Sequence, residues 1–149
     1  MATFQEQLIK VKQLNPNRLQ TDLFDYIRSL ENELIQLEKD RLFKESKDIF
    51  GKPIGFYSKT TEIISKGRKK QGQPFTAFDT GDFFKGFYAS TSNEEVKFSS
   101  DDKKTKIILS SENWLSNSLF GLSDNELKKV IAEKLLPFFI QNFRKILDL

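Results

Sequence analysis

The chain has 149 residues, of which 38% are hydrophobic and 30% charged, enough for one domain and too few for two of ordinary size. It contains no histidine and no cysteine, so His–Cys zinc sites, thiolate nucleophiles, Ser–His triads and disulfides are excluded. The net charge of +3 comes from acidic and basic residues that alternate along most of the chain, which is typical of a solvated surface.

Membrane segments are not expected. No apolar run approaches the roughly 20 residues that span a bilayer, and the first residues lack the basic and apolar regions of a signal peptide. We therefore expect a single domain over residues 1–149, made in the cytoplasm and without a membrane partner.

Two helices are predicted in the first 45 residues. The first ends before Pro16, because the residue that precedes a proline disfavours the helical conformation. The second begins near Asn17 or Thr21 and carries an apolar stripe that covers its own domain's core or meets another subunit. The stripe consists of Leu23, Ile27, Leu30, Leu34 and Leu37. The charged residues off the stripe are expected to face water: Glu31, Glu33, Glu38, Lys39 and Asp40.

The middle of the chain is rich in glycine and proline. A short helix is predicted within 56–64, with Tyr57, Ile63 and Ile64 pointing inward. Residues 66–74 contain no apolar side chain, so they are predicted to form an exposed, mobile loop. The cations of this loop are interpreted first as solvated charges, and the alternative is contact with an acidic partner or with DNA. They are Lys66, Arg68, Lys69 and Lys70.

A small antiparallel sheet is predicted in the third quarter of the chain. Three short strands, 87–92, 95–99 and 105–110, are separated by connections that permit only antiparallel neighbours. Val96 and Phe98 alternate with polar residues, which indicates one buried and one wet face. The sequence therefore predicts a three-stranded meander.

A long helix is predicted at the C-terminal end. Ser123 and Glu126 have the spacing of a capping box, in which each side chain bonds the other's backbone N–H. Pro137 lies inside the apolar pattern and is expected to kink the helix or split it in two. Residues 135–140 are apolar on nearly all sides, which predicts burial on more than one face, partly by another subunit. The fold class is thus α+β: two N-terminal helices, the meander and a long kinked C-terminal helix.

The remaining candidates for chemistry are carboxylates. Asp79, Thr80 and Gly81 are interpreted as a structural turn, with Asp79 or Thr80 capping a short helix. A calcium loop would need further oxygen ligands at regular spacing, which are missing after Asp82. We therefore expect no catalytic, metal-binding or cofactor-binding residues and no enzymatic activity.

Three stretches resemble the neck and tail-completion proteins of tailed bacteriophages: IGFYS (54–58), FDTGDFFKGF (78–87) and LFGL (119–122). In that family an N-terminal helix precedes a Tyr- and Gly-rich middle, a Thr-Gly turn opens a small antiparallel sheet, and C-terminal helices close the fold. The resemblance implies a structural virion protein that joins head and tail.

The resemblance also implies partners and a location. The chain would form a homo-oligomeric ring around the DNA channel, contact other neck or tail proteins, and touch packaged DNA without sequence preference. It would be found in the virion, and in the host cytoplasm during assembly. The alternative is a small adaptor that binds nucleic acid or protein through the basic residues 66–70.

Overall fold

A computed structural model of the chain describes residues 3–54, 59–73, 85–102 and 117–148. The described part combines helices with a two-stranded antiparallel sheet and ends in a long helix, so the expected mixture of helix and strand is confirmed. The Asp79-Thr80-Gly81 turn and the third predicted strand, 105–110, lie outside the described residues.

The N-terminal region forms three helices rather than the two predicted. Helix α1 spans Phe4–Lys12 and begins at a capping box formed by Thr3 and Glu6. Helix α2, Pro16–Ser29, starts with a proline, whose missing N–H would have no helical partner at that position. Helix α3, Glu31–Asp40, follows after a break at Leu30, where ψ is close to zero. The predicted second helix is therefore divided, yet its stripe still faces inward.

A π-helical turn, Arg41–Glu45, continues α3 and ends at Ser46, which has a left-handed conformation. The chain then folds into a tight loop in which Asp48 Oδ1 accepts hydrogen bonds from the backbone N–H groups of Phe50 and Lys52, both 2.9 Å. This side chain replaces the backbone partners that a strand would have supplied.

Helix α4 spans Lys59–Ile64. The prediction that its isoleucines face inward is wrong, since Ile63 is 68% and Ile64 76% exposed. The buried position is Ser65 instead, because the chain turns back over its hydroxyl group, which accepts a hydrogen bond from the Lys69 N–H. Tyr57 lies outside the described residues.

The sheet consists of β1, Phe87–Thr91, and β2, Val96–Ser100, paired antiparallel with Ala89 opposite Phe98. Two of the three predicted strands are thus confirmed. The side chains of Val96 and Phe98 pack against the helices, while Lys97 between them points to solvent. The predicted alternation of faces along β2 is therefore correct.

The C-terminal helix is continuous over 124–146 in three parts: α5 (Asp124–Val130), a π turn (Ile131–Leu135) and α6 (Leu136–Ile146). The Ser123–Glu126 capping box is confirmed. The helix is not split at Pro137. Instead, the Leu136 N–H donates to the carbonyl of Ile131, five residues back, which is the hydrogen bond of a π turn. In a regular α-helix the ring of Pro137 would clash with the carbonyl four residues before it, and the wider π turn lies at that point.

Two apolar clusters form the core. The first lies between the π turn after α3, the sheet and the 117–120 segment, and contains Leu42, Ile54, Phe87, Leu119 and Phe120. The second joins α2 and α3 to the C-terminal helix and contains Ile27, Leu30, Leu34 and Val130. Helices α2 and α6 are also in contact, since the rings of Tyr26 and Phe138 stack with their centroids 4.2 Å apart. The predicted stripe of the second helix therefore covers the domain's own core.

Candidate functional site

The basic loop, residues 66–70, follows α4 and is held by local hydrogen bonds. Lys66 and Gly67 both have positive φ, and this pair of left-handed residues reverses the chain. The Arg68 Nε–H donates to the carbonyl of Ser65 at 3.2 Å, and the Gln71 N–H donates to Glu62 at 3.1 Å. The loop thus has a defined local shape.

The four cations of the basic loop differ in their exposure. Lys66, Arg68 and Lys70 are exposed, and Lys69 is half-buried. Four positive charges within five residues create a local positive potential that favours anionic partners. The loop can therefore contact a phosphate backbone or an acidic protein surface.

Helix α1 presents apolar side chains to solvent. The structure buries none of its residues, although Phe4, Leu8 and Val11 follow the spacing of an apolar stripe. Its last turn contacts the end of the chain through an ion pair between Lys10 and Asp148. A helix of this length is marginal in water without tertiary packing.

The C-terminal helix carries a second exposed stripe. Ile131, Leu136 and Ile140 follow one another at steps of five and four residues, and the step of five matches the π turn between the first two. Leu136 is 50% and Ile140 46% exposed, and Phe139 lies beside them. The predicted burial of 135–140 on several faces does not occur within one chain. We call this surface the C-terminal stripe.

A cavity of about 770 Å³ lies between α2, α3, the sheet and the beginning of the C-terminal helix. Its walls are mainly apolar and include Ile27, Leu34, Phe98, Leu122 and Val130. Gly121 also lines the cavity. Its φ is 114°, a backbone conformation that residues with a side chain rarely adopt. The sequence pattern did not predict this space, because it depends on how elements far apart in the chain meet.

Beside the cavity wall, Arg41 connects three separate segments of the chain. It is 3% exposed and donates to the carbonyls of Lys47 (3.1 Å), Leu119 (2.9 Å) and Gly121 (2.9 Å). It also pairs with Glu126 Oε1 at 2.5 Å. Because that oxygen accepts the Ser123 N–H of the capping box as well, Arg41 attaches the π turn after α3 to the start of the C-terminal helix.

Glu38 lies next to this arginine and is completely buried. Its Oε1 accepts the Gly121 N–H at 2.9 Å, and its Oε2 has no hydrogen-bond partner among the described residues. Burial raises the pKa of Glu38 to about 8, outweighing the Gly121 hydrogen bond and the Arg41 charge, which both lower it. Glu38 is therefore mainly protonated at neutral pH. We call Glu38, Arg41, Gly121 and Glu126 the buried polar cluster.

The prediction that Glu38 faces water is wrong, and the buried polar cluster was not predicted as a site from the sequence. Glu38 was expected on a wet face, but it is four residues from Leu34 and follows it on the inward side. The sequence did contain a signal for this burial. Glu38 and Arg41 are three residues apart and lie on the helical face that carries the buried Leu34 and Leu42.

The described residues contain no group of three or more Asp or Glu side chains placed to hold a metal ion. Within the same ranges, no helix has the length and apolar character needed to cross a membrane. Comparison with protein-family models, curated protein sequences and solved structures gives no match for this chain.

Proposed function

We propose that this chain is a structural protein of a tailed-bacteriophage particle that sits at the head–tail junction or tail end and assembles as a ring around the DNA channel. Its role is non-enzymatic and uses no cofactor. Its partners are further copies of itself and other neck or tail proteins. It acts in the virion and is present in the host cytoplasm during assembly.

The proposal rests first on the resemblance of residues 54–58, 78–87 and 119–122 to the neck and tail-completion family. The order of elements, helices followed by a small antiparallel sheet and a long C-terminal helix, agrees with that resemblance. The third strand at 105–110, which would complete the meander, remains part of the proposal, as does the structural turn at Asp79, Thr80 and Gly81.

The single observation that carries self-association is the C-terminal stripe. Scattered exposed apolar side chains are normal on a protein surface, but a contiguous row on one helix is typical of an interface. The stripe and the exposed face of α1 are different surfaces, on helices from opposite ends of the chain. Contact between two unlike surfaces on successive copies forms a ring when the rotation from one copy to the next closes on itself.

The basic loop supplies the element suited to the channel. Its four cations are close in sequence and at the surface, and electrostatic contact with phosphates carries no sequence preference. In a ring, the loops of successive copies would form a band of positive charge that either lines the DNA path or grips an acidic neighbouring ring.

The ring is tested with a matched pair of substitutions on α6. Ile140→Glu places a charge in the C-terminal stripe, whereas Gln141→Glu places the same charge on the next residue, which is exposed and polar. We expect Ile140→Glu to prevent incorporation into purified particles, while Gln141→Glu incorporates normally. Both isolated proteins should melt within a few degrees of wild type, because both positions are exposed.

Electron cryo-microscopy of the wild-type particles would determine how many copies of the chain are present and how they are arranged. The proposal expects several copies in mutual contact around the channel axis. Normal incorporation of Ile140→Glu, or a single isolated copy of the chain in the reconstruction, would contradict it.

The second candidate function is an adaptor that binds nucleic acid or an acidic protein through the basic loop. The exposure of Lys66, Arg68 and Lys70 supports it. The two functions differ in what the isolated chain does. An adaptor binds DNA as a monomer with strong salt dependence, whereas a ring protein requires its assembled neighbours.

A further inference from the structure

The buried polar cluster contains two carboxyl groups and one guanidinium at the junction of three chain segments. Arg41 donates four hydrogen bonds to described acceptors. One goes to the carboxylate of Glu126, and the other three go to backbone carbonyls. Glu38, three residues before Arg41, holds the same Leu119–Gly121 segment from the other side through the Gly121 N–H. Both side chains therefore attach the 119–121 segment to α3 and to the π turn that continues it.

In this arrangement only one of the two carboxyl groups needs to be charged. Glu126 is the ion-pair partner of Arg41, while Oε2 of Glu38 is buried and unpartnered among the described residues. A second charge in the same enclosure would lack solvation and would compete with Glu126 for the guanidinium. The charged groups that act on Glu38 are Arg41 from the π turn, Glu126 from α5, and the neighbouring Lys39 on α3.

We propose that Glu38, Arg41 and Glu126 form a pH-sensitive latch that holds the beginning of the C-terminal helix against α3 and opens when Glu38 loses its proton. The proton leaves to solvent, and the new carboxylate is hydrated by separation of the segment 119–126 from α3. The guanidinium of Arg41 then interacts with the carboxylates of both Glu38 and Glu126, so the ion pair between Arg41 and Glu126 weakens. The capping box loses the support that Arg41 gave it.

The latch borders the apolar cavity. Phe120, Gly121 and Leu122 line that cavity, and the cluster bonds both the N–H and the carbonyl of Gly121, the middle residue of the three. Opening of the latch therefore changes the cavity wall and the start of the helix that carries the C-terminal stripe. This conformational change takes place within one chain and is independent of the ring or adaptor function.

Amide hydrogen exchange tests the latch directly, because two amide groups report on it. The Gly121 N–H donates to Glu38, and the Ser123 N–H donates to Glu126. After correction for intrinsic exchange, their protection in the wild-type protein should fall roughly a hundredfold between pH 6 and pH 9, as linkage requires for a carboxyl whose pKa is raised to about 8 in the closed state. Both should stay less protected than Leu34 in the core at every pH.

The matched variants are Glu38→Gln, which removes the titrating group, and Asp40→Asn, which removes a carboxylate of the same helix outside the cluster. Glu38→Gln should abolish the fall in protection at Gly121 and Ser123, and Asp40→Asn should retain it. A fall of wild-type size in Glu38→Gln, or protection at Gly121 and Ser123 equal to that of Leu34 throughout, overturns the proposal.

A second measurement on the wild-type protein guards against a variant that does not fold. The carboxyl carbon of Glu38, followed by nuclear magnetic resonance, should titrate with a midpoint near 8, in step with the change at Gly121 and Ser123. A midpoint below 6, or a midpoint unrelated to the change in exchange, overturns the latch.

Discussion

At the scale of single residues, Glu38 has a completely buried carboxyl group, which is an unusual position for an acidic side chain. A carboxylate removed from water loses several kcal/mol of solvation, and one hydrogen bond from Gly121 does not restore it. The group remains neutral instead. Its burial is possible because Arg41, three residues along, neutralises Glu126 and occupies the nearby carbonyls.

The first prediction concerns the pH dependence of stability. The pKa of Glu38 is raised in the folded protein, so its contribution to stability is complete below the ordinary pKa of 4.5 and is lost as pH rises to about 8. Between pH 5 and pH 8 the wild-type free energy of unfolding should fall by about 3 to 4 kcal/mol relative to Glu38→Gln. Urea unfolding of both proteins across this range measures the difference.

The fixed cost of replacing a carboxyl by an amide at position 38 is the same at each pH, so it cancels when the two pH profiles are compared. Parallel profiles for wild type and Glu38→Gln would show that Glu38 is ionised in the folded state throughout, and the burial argument would fail.

At the scale of elements, local signals predicted two strands and the start of the C-terminal helix, whereas the N-terminal region contains three helices instead of the two expected. The cap at Thr3 was not predicted, and α2 begins at Pro16 rather than near Asn17 or Thr21. The capping box at Ser123 was predicted correctly, because a cap needs only residues within one turn. The alternation along β2 was equally local. The positions that the sequence did not reveal depend on distant partners. The break at Leu30, the burial of Glu38 and the exposure of Ile63 each follow from tertiary packing rather than from neighbours in the chain.

The second prediction concerns the connection between elements that Arg41 makes. Arg41→Ala should lower the free energy of unfolding by about 3–5 kcal/mol, because it leaves the charge of Glu126 without its cation and three backbone carbonyls without the donor that Arg41 supplies. Lys44→Ala is the matched control on the same π turn. Lys44 pairs with Asp40 at 3.5 Å, but its side chain is 70% exposed, so the loss should stay within about 0.5 kcal/mol.

Chemical denaturation at pH 7 measures both Arg41→Ala and Lys44→Ala. Equal losses for the two variants would mean that the buried contacts of Arg41 add nothing beyond an ordinary surface charge, and the connection between α3 and the C-terminal helix would have to come from the apolar clusters alone.

At the scale of the whole molecule, the apolar rows of α1 and the C-terminal helix lie on other elements than the basic loop, whereas Ile63 and Ile64 at the end of α4 are exposed beside that loop. The exposed apolar rows belong to α1 and the C-terminal helix, and the dense positive charge belongs to the loop after α4. A protein that must contact both other protein subunits and nucleic acid benefits from such separation, because each surface can be desolvated without burying the other. The proposed ring and the proposed DNA contact are therefore physically compatible.

The last prediction concerns the basic loop and separates its two roles. Serine at positions 66, 68, 69 and 70 should leave the melting temperature nearly unchanged, because exposed charges contribute little to stability. If all four cations contact duplex phosphates, the slope of log K against log salt should become shallower by about 3 to 4, since each neutralised phosphate contributes about 0.9. Fluorescence anisotropy with a random-sequence duplex at several salt concentrations measures the slope.

The control variant for the basic loop removes the same charge from scattered exposed sites. Serine at Lys44, Lys97, Lys128 and Lys129 lowers the net charge equally but leaves the loop intact, so a loop-specific contact predicts a wild-type slope for it. Equal changes in both variants would mean that DNA responds only to net charge. A large drop in melting temperature for the loop variant alone would mean that the hydrogen bonds around Ser65 depend on the replaced side chains, and that this segment is a packed structural element.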